Sequence, residues 1–185
     1  MEKHICPWYL GYVLANPLRR FYQNPEKILS PFLKQGMKVL EVGPGMGFFS
    51  LPIAKFIGET GRIFCVDLQE KMLQSLRRRV ERANILDRME MRLCSESSLQ
   101  MDDLTGSIDF VLAFWVVHEV PDQELLLKEI CNSLKKDGLL LLSEPKGHVT
   151  KEEFEKTLSL TQTNGMEKVD SPNIRGSYSA VLRKK

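Results

Sequence analysis

From Met37 to the C-terminus, short apolar runs alternate with stretches whose apolar residues recur at helical spacing. MKVLEVG (37–43) is rich in β-branched residues and ends in glycine, and FFSLPIAKFIG then takes helical spacing up to Gly58. RIFCVDL (62–68) predicts a second strand, followed by an amphipathic helix from Glu70 to about Leu86. RMEMRLC (88–94) and SIDFVLAFWVV (107–117) predict two further strands, with a short polar helix or loop between them. Pro121-Asp122 opens a helix that runs to Lys136, and Asp137-Gly138 turns the chain into GLLLLSEP (138–145). Strand and helix in strict alternation predict a mainly parallel sheet with helices on both faces, joined by right-handed crossovers.

The rhythm breaks at the end. After a helix beginning near Thr150, MEKVD (166–170) and SYSAVLRKK (177–185) are separated only by SPNIRG and its neighbours, too short for a crossover helix. Two strands joined that way are antiparallel neighbours. The expected fold is therefore α/β, a Rossmann-like three-layer sandwich on a seven-stranded, mostly parallel sheet that ends in an antiparallel hairpin. Residues 1–36 stand outside the pattern. Asn16-Pro17 and Asn24-Pro25 each read as an N-cap followed by a first-turn proline, so short helices are expected there.

Composition narrows the field without deciding it. The chain has 185 residues, 43% hydrophobic and 27% charged, which suits one globular domain with a continuous core. A net charge of +2 argues for neither nucleic acid nor a membrane surface. No apolar run approaches the ~20 residues of a spanning helix, and no signal peptide is evident at the start. Cys6, Cys65, Cys94 and Cys131 are scattered, which suits reduced thiols in a cytoplasmic protein. Cys6 with His4 is too sparse for a metal site, so no metal is expected.

The chemistry concentrates in VLEVGPGMGFFS (39–50). Gly43, Gly45 and Gly47 allow a tight turn and close backbone approach to a ligand at the carboxyl end of the first strand. A dinucleotide fingerprint requires glycine where this chain has Phe48. Here the spacing is E-x-G-x-G-x-G, with Glu41 ahead of the first glycine. An acid at that point is unfavourable beside a pyrophosphate and favourable beside an ammonium and a sulfonium. Asp67, closing the second strand, suits two ribose hydroxyls.

With LEVGPGMG and FCVDL in place, residues 37–185 resemble the class I S-adenosylmethionine-dependent methyltransferases, closest to the small group that includes the ubiquinone-type and arsenite methyltransferases. The resemblance implies S-adenosylmethionine as cofactor and methyl transfer as the activity (EC 2.1.1). It implies that the glycine loop holds the methionine portion, that Asp67 holds the ribose, and that Leu68 lies beside the adenine. Where the family usually has Gly-Asp-Ala after its third strand, this chain has Cys94, Ser95 and Glu96, so Ser95 or Glu96 takes the adenine contact. Ala113 and Phe114, in DFVLAFWVVHEVPD, would run along the methionine part.

Each residue also has a purely structural reading. Glu41 suits a strand-end charge, Asp67 an N-cap for the next helix, and Ser95 and Glu96 an ordinary loop. Candidate bases near the strand ends are His118, Glu119, Glu144 and His148, and related sequences carry a histidine at position 118 without requiring it as a base. Trp115 is either a pocket wall or core.

No insertion follows the fifth strand to roof a pocket, so residues 1–36 are expected to form a helical lid ahead of the methyltransferase domain at 37–185. Trp8, Tyr9, Tyr12, Phe21 and Tyr22, with Arg19 and Arg20 between them, suit a cover for an acceptor or a peripheral membrane contact. Packing against the sheet edge is the alternative. Tyr12, Tyr22 and Trp115 are the candidate substrate contacts. The expected partner is a small-molecule methyl acceptor, with no nucleic acid and no transmembrane segment, and nothing in the sequence sets an oligomeric state. A non-catalytic S-adenosylmethionine-binding protein, or less favourably an NAD(P)-dependent oxidoreductase, would share much of this pattern.

Overall fold

The computed structural model describes Gly11 and residues 16–185. One compact unit ends at Cys94 and a second begins at Ser95.

In the first unit, Asn16 and Asn24 act as N-caps. The Asn16 side chain accepts from the Leu18 N–H at the head of a 3₁₀ turn, Pro17–Phe21. Asn24 accepts from the Lys27 N–H at the head of α1 (Pro25–Leu29). Strand β1 (Lys38–Val42), helix α2 (Ser50–Ile57), strand β2 (Arg62–Asp67), helix α3 (Glu70–Arg82) and strand β3 (Met89–Leu93) follow. Both β1 and β2 are exposed only at their first residue, as expected of parallel strands covered on both faces. They pair in parallel, Val39 opposite Ile63 and Val42 opposite Val66, and β2 pairs in parallel with β3. Helix α3 buries Met72, Leu73, Leu76 and Val80 and leaves its Arg77 and Arg78 in solvent. It ends four residues before Leu86, because Asn84 takes a left-handed φ of 53° that an α-helix cannot continue through.

The second unit holds β4 (Ile108–Phe114), α4 (Gln123–Ser133), β5 (Leu134–Pro145), α5 (Lys151–Thr163), β6 (Met166–Asp170) and β7 (Ser177–Lys184). Asp122 caps α4 by accepting from the Leu125 N–H. Thr150 and Glu153 form a reciprocal capping box on α5. β5 runs parallel to β4 and antiparallel to β7, and β7 pairs antiparallel with β6, so the expected terminal hairpin is present.

Two further boundaries differ from the sequence reading. β4 stops at Phe114, since Trp115 adopts φ 60° and Val117–Glu119 coil into a 3₁₀ turn. α4 stops at Ser133 and β5 begins at once, with Asp137 at φ 64° inside its irregular start.

The seven strands form one sheet in the order β3-β2-β1-β4-β5-β7-β6. Strand order reverses at β1, whose carboxyl end carries the glycine loop, the position at which open α/β sheets bind ligands. Among the described residues no helix is long and apolar enough to cross a membrane.

Candidate active site

The glycine loop of the first unit owes its shape to three left-handed residues, Gly43 (φ 66°), Gly45 (φ 54°) and Gly47 (φ 87°). At Gly47 a β-carbon would also stand 2.5 Å from a methyl of Leu76 and 2.9 Å from one of Leu51. At Gly45 a β-carbon would meet nothing within 4 Å, which leaves that stretch of backbone open to a ligand. From α3, the guanidinium of Arg79 donates to the Met46 carbonyl and ties the loop to the helix.

Asp67 is only 8% exposed. One carboxylate oxygen accepts from the Gln69 N–H at 2.8 Å and the other from the Gly45 N–H at 3.3 Å. The second bond connects the ends of β1 and β2, so Asp67 anchors the loop as well as lying beside it. Leu68, next in the chain, is partly exposed. Glu41 is 3% exposed; Ser50, the first residue of α2, donates to it at 2.6 Å, and the Cys65 thiol stands at 3.8 Å. Burial pushes the Glu41 carboxyl up to about 7, the Asp67 charge adds to the rise, and the hydrogen bonds from Ser50 and Cys65 act against it. Burial likewise pushes the Cys65 thiol up.

The donor set fits S-adenosylmethionine better than a dinucleotide. Phe48 stands where a dinucleotide loop needs glycine, and the buried carboxyl groups of Glu41 and Asp67 complement a ligand that carries positive charge and hydroxyl donors.

In the second unit, Ser95 and Glu96 lie in a tight turn closed by a bridge between Ser95 and Ser98. Glu129 of α4 holds that turn: Ser98 donates its hydroxyl at 2.7 Å and Leu99 its N–H at 2.7 Å to the two carboxylate oxygens. Sequence reasoning missed Glu129, since a single charge on an amphipathic helix reads as a solvated face. Ala113 and Phe114 are buried at the end of β4.

The second unit also brings together three of the four candidate bases, with Glu119 in the adjoining 3₁₀ turn Val117–Glu119. Glu144, 1% exposed near the end of β5, accepts from the N–H groups of Val117 (3.0 Å) and His118 (3.2 Å), and it pairs with the His118 ring at Nδ1. The His148 ring stands edge-on to His118, centroids 5.5 Å apart. Trp115 is half-buried, its ring 5.5 Å from that of Phe114, and its indole N–H donates to Ser177 at 2.8 Å. Tyr22 is exposed, and Tyr12 lies outside the described residues.

Comparison with known proteins bears on the family and the fold. A demethylmenaquinone methyltransferase of Staphylococcus aureus is 27% identical over 112 residues, 60% of this chain and 44% of that protein. A ubiquinone/menaquinone biosynthesis C-methyltransferase of Haemophilus ducreyi is 28% identical over 112 residues, 60% of this chain and 42% of that protein. The matched region thus spans less than half the length of either relative. The crystal structure of an S-adenosylmethionine-dependent methyltransferase from Aquifex aeolicus shares the fold, with a TM-score of 0.84 at 24% identity over 97% of this chain and 98% of that one. The sequence matches the methyltransferase domain family over residues 33–182, most of the chain. The protein belongs to that family, with the class I fold and S-adenosylmethionine as its cofactor.

Proposed function

We propose that the protein methylates a small molecule at a nucleophile that must give up a proton, with His118 receiving that proton. The observation that carries this reading is the His118–Glu144 pair. A carboxylate bonded to Nδ1 sets the imidazole tautomer, leaves the Nε2 lone pair to accept a proton, and stabilises the imidazolium that results. Glu144 is itself fixed by two backbone N–H groups, so the pair is ordered before any acceptor arrives. The relatives, a demethylmenaquinone methyltransferase and a ubiquinone/menaquinone biosynthesis C-methyltransferase, support a carbon nucleophile on a quinone-type ring.

On this reading the cofactor is held by Glu41, Gly43, Gly45, Gly47, Asp67 and Leu68, with Ser95, Glu96, Ala113 and Phe114 as further contacts. When bound, S-adenosylmethionine supplies an electrophilic methyl group on a sulfonium, which departs as a neutral thioether. The residues of the chain contribute orientation and exclusion of water, and His118 contributes proton removal. On the same reading Trp115, whose indole donates to Ser177, limits the width of an acceptor.

The test is methyl transfer from labelled cofactor to a panel of hydroquinones, phenols, amines and thiols. His118→Gln should lower kcat by about 10²–10⁴-fold and leave cofactor affinity unchanged. Full activity in that variant would remove His118 from the chemistry. Cofactor binding with no transfer to any acceptor class would favour a non-catalytic S-adenosylmethionine-binding protein.

A further inference from the structure

Five large apolar side chains stand well exposed among the described residues, Leu18, Phe21, Tyr22, Leu93 and Val169. Single exposed apolar residues are ordinary, but three of these fall within one five-residue stretch. Leu18 is 63% exposed, Phe21 83% and Tyr22 62%, all on or beside the 3₁₀ turn Pro17–Phe21.

The inner side of that turn is well tethered. Asn16 caps it, Arg19 lies with its guanidinium 4.4 Å from the Phe48 ring centre, and Arg19 also bonds the buried Gln23 at 2.9 Å. Arg20 pairs with Glu26. The outward apolar side chains are therefore presented by an ordered turn, and a partner meets them without first ordering the chain. Charge points the same way. Residues 16–36 carry Arg19, Arg20, Lys27 and Lys34 against the single acid Glu26, so this short segment is more positive than the whole chain, whose net charge is +2. With Arg19 turned inward, Arg20, Lys27 and Lys34 are exposed in the same segment.

We infer that this turn is a docking point for an anionic lipid surface, with Leu18, Phe21 and Tyr22 entering the interface and Arg20, Lys27 and Lys34 meeting the headgroups. Exposed apolar side chains within a basic segment match such a surface in both respects. A five-residue turn followed by a five-residue helix presents neither a strand edge nor a long groove, the features by which peptides are usually held. The inference does not depend on which acceptor is methylated or on the role of His118.

Flotation of the full chain with vesicles tests it, using phosphatidylcholine alone and phosphatidylcholine mixed with phosphatidylglycerol. Binding is expected to the mixed vesicles, weakening as salt is raised, and roughly tenfold less to phosphatidylcholine alone. Leu18→Ser/Phe21→Ser should lose binding by at least about tenfold, with cofactor affinity and melting temperature unchanged. Lys27→Gln/Lys34→Gln should also weaken it. As a second readout, Phe21→Trp should show a blue shift of emission on adding mixed vesicles. Absence of vesicle binding by the wild type overturns the proposal, as does equal binding by Leu18→Ser/Phe21→Ser or an unshifted Phe21→Trp spectrum. Capture of an acidic protein with no affinity for vesicles would reassign the surface to a protein partner and overturn it equally.

Discussion

Replacing Glu41 with glutamine should flatten the pH dependence of folding stability. The carboxyl is buried against neutral partners, Ser50 and Cys65, and lies at about 7 against an ordinary 4.5. Below the ordinary value it is neutral in folded and unfolded chains alike, and its contribution to stability is intact. As pH rises, the unfolded chain releases the proton first and the folded one holds it, so stability declines until pH passes about 7 and then levels off. At about 1.4 kcal/mol per pH unit, the gap between the two values amounts to about 3–4 kcal/mol, undiminished by solvent because the group is buried. Urea unfolding of wild type and Glu41→Gln from about pH 4.5 to about pH 8 measures it directly. The wild type should lose about 3 kcal/mol relative to the variant across that window. Cofactor affinity should move the other way, because a positive ligand favours the ionised carboxylate: roughly tenfold tighter in the wild type as pH rises from about 5.5 to about 7, and flat in Glu41→Gln. Parallel stability curves for the two proteins would refute the buried-carboxyl reasoning.

Asp67→Ala removes the acceptor of both Gly45 and Gln69 and should weaken cofactor binding at least about tenfold by calorimetry, with the fold retained. Gly47→Ala, which combines a φ of 87° with contacts to Leu76 and Leu51, should cost about 2–3 kcal/mol in thermal unfolding, whereas Gly45→Ala should cost about 1 kcal/mol because only its φ is unfavourable. Glu129→Gln weakens the hold on Ser98 and Leu99, and exchange of the Leu99 amide with deuterium should speed by about tenfold or more.

Most strands were legible because parallel strands are buried on both faces, so VLEV, IFCV and FVLAF stand out as apolar runs broken only by Glu41. The capping prolines were equally plain, since Asn before Pro has a local physical reason to start a helix. The end of β4 was not, because Val116 and Val117 continue the apolar run, whereas the positive φ of Trp115 and the bond from Val117 to the distant Glu144 turn the chain there. Leu134-Lys-Lys misled in the other direction: its composition extends α4, and pairing of Leu134 with Ile108 makes it strand. Local spacing identified Glu41, the glycines, Asp67 and the histidines as residues of interest. It was silent on their partners, Ser50, Gly45 and Glu144, because each pairing depends on contacts that the fold supplies.

Trp115 illustrates how selection can act on opposed properties at one position. A tryptophan at φ 60° forfeits about 1–3 kcal/mol relative to a residue suited to that backbone, and glycine or asparagine would recover much of it. A mutant library screened only for heat resistance should therefore enrich glycine or asparagine at position 115. A library screened for turnover should keep the indole and its tie to Ser177, if the ring bounds the acceptor as proposed. Divergence of the two populations at this codon would locate the acceptor-facing surface before any acceptor is identified.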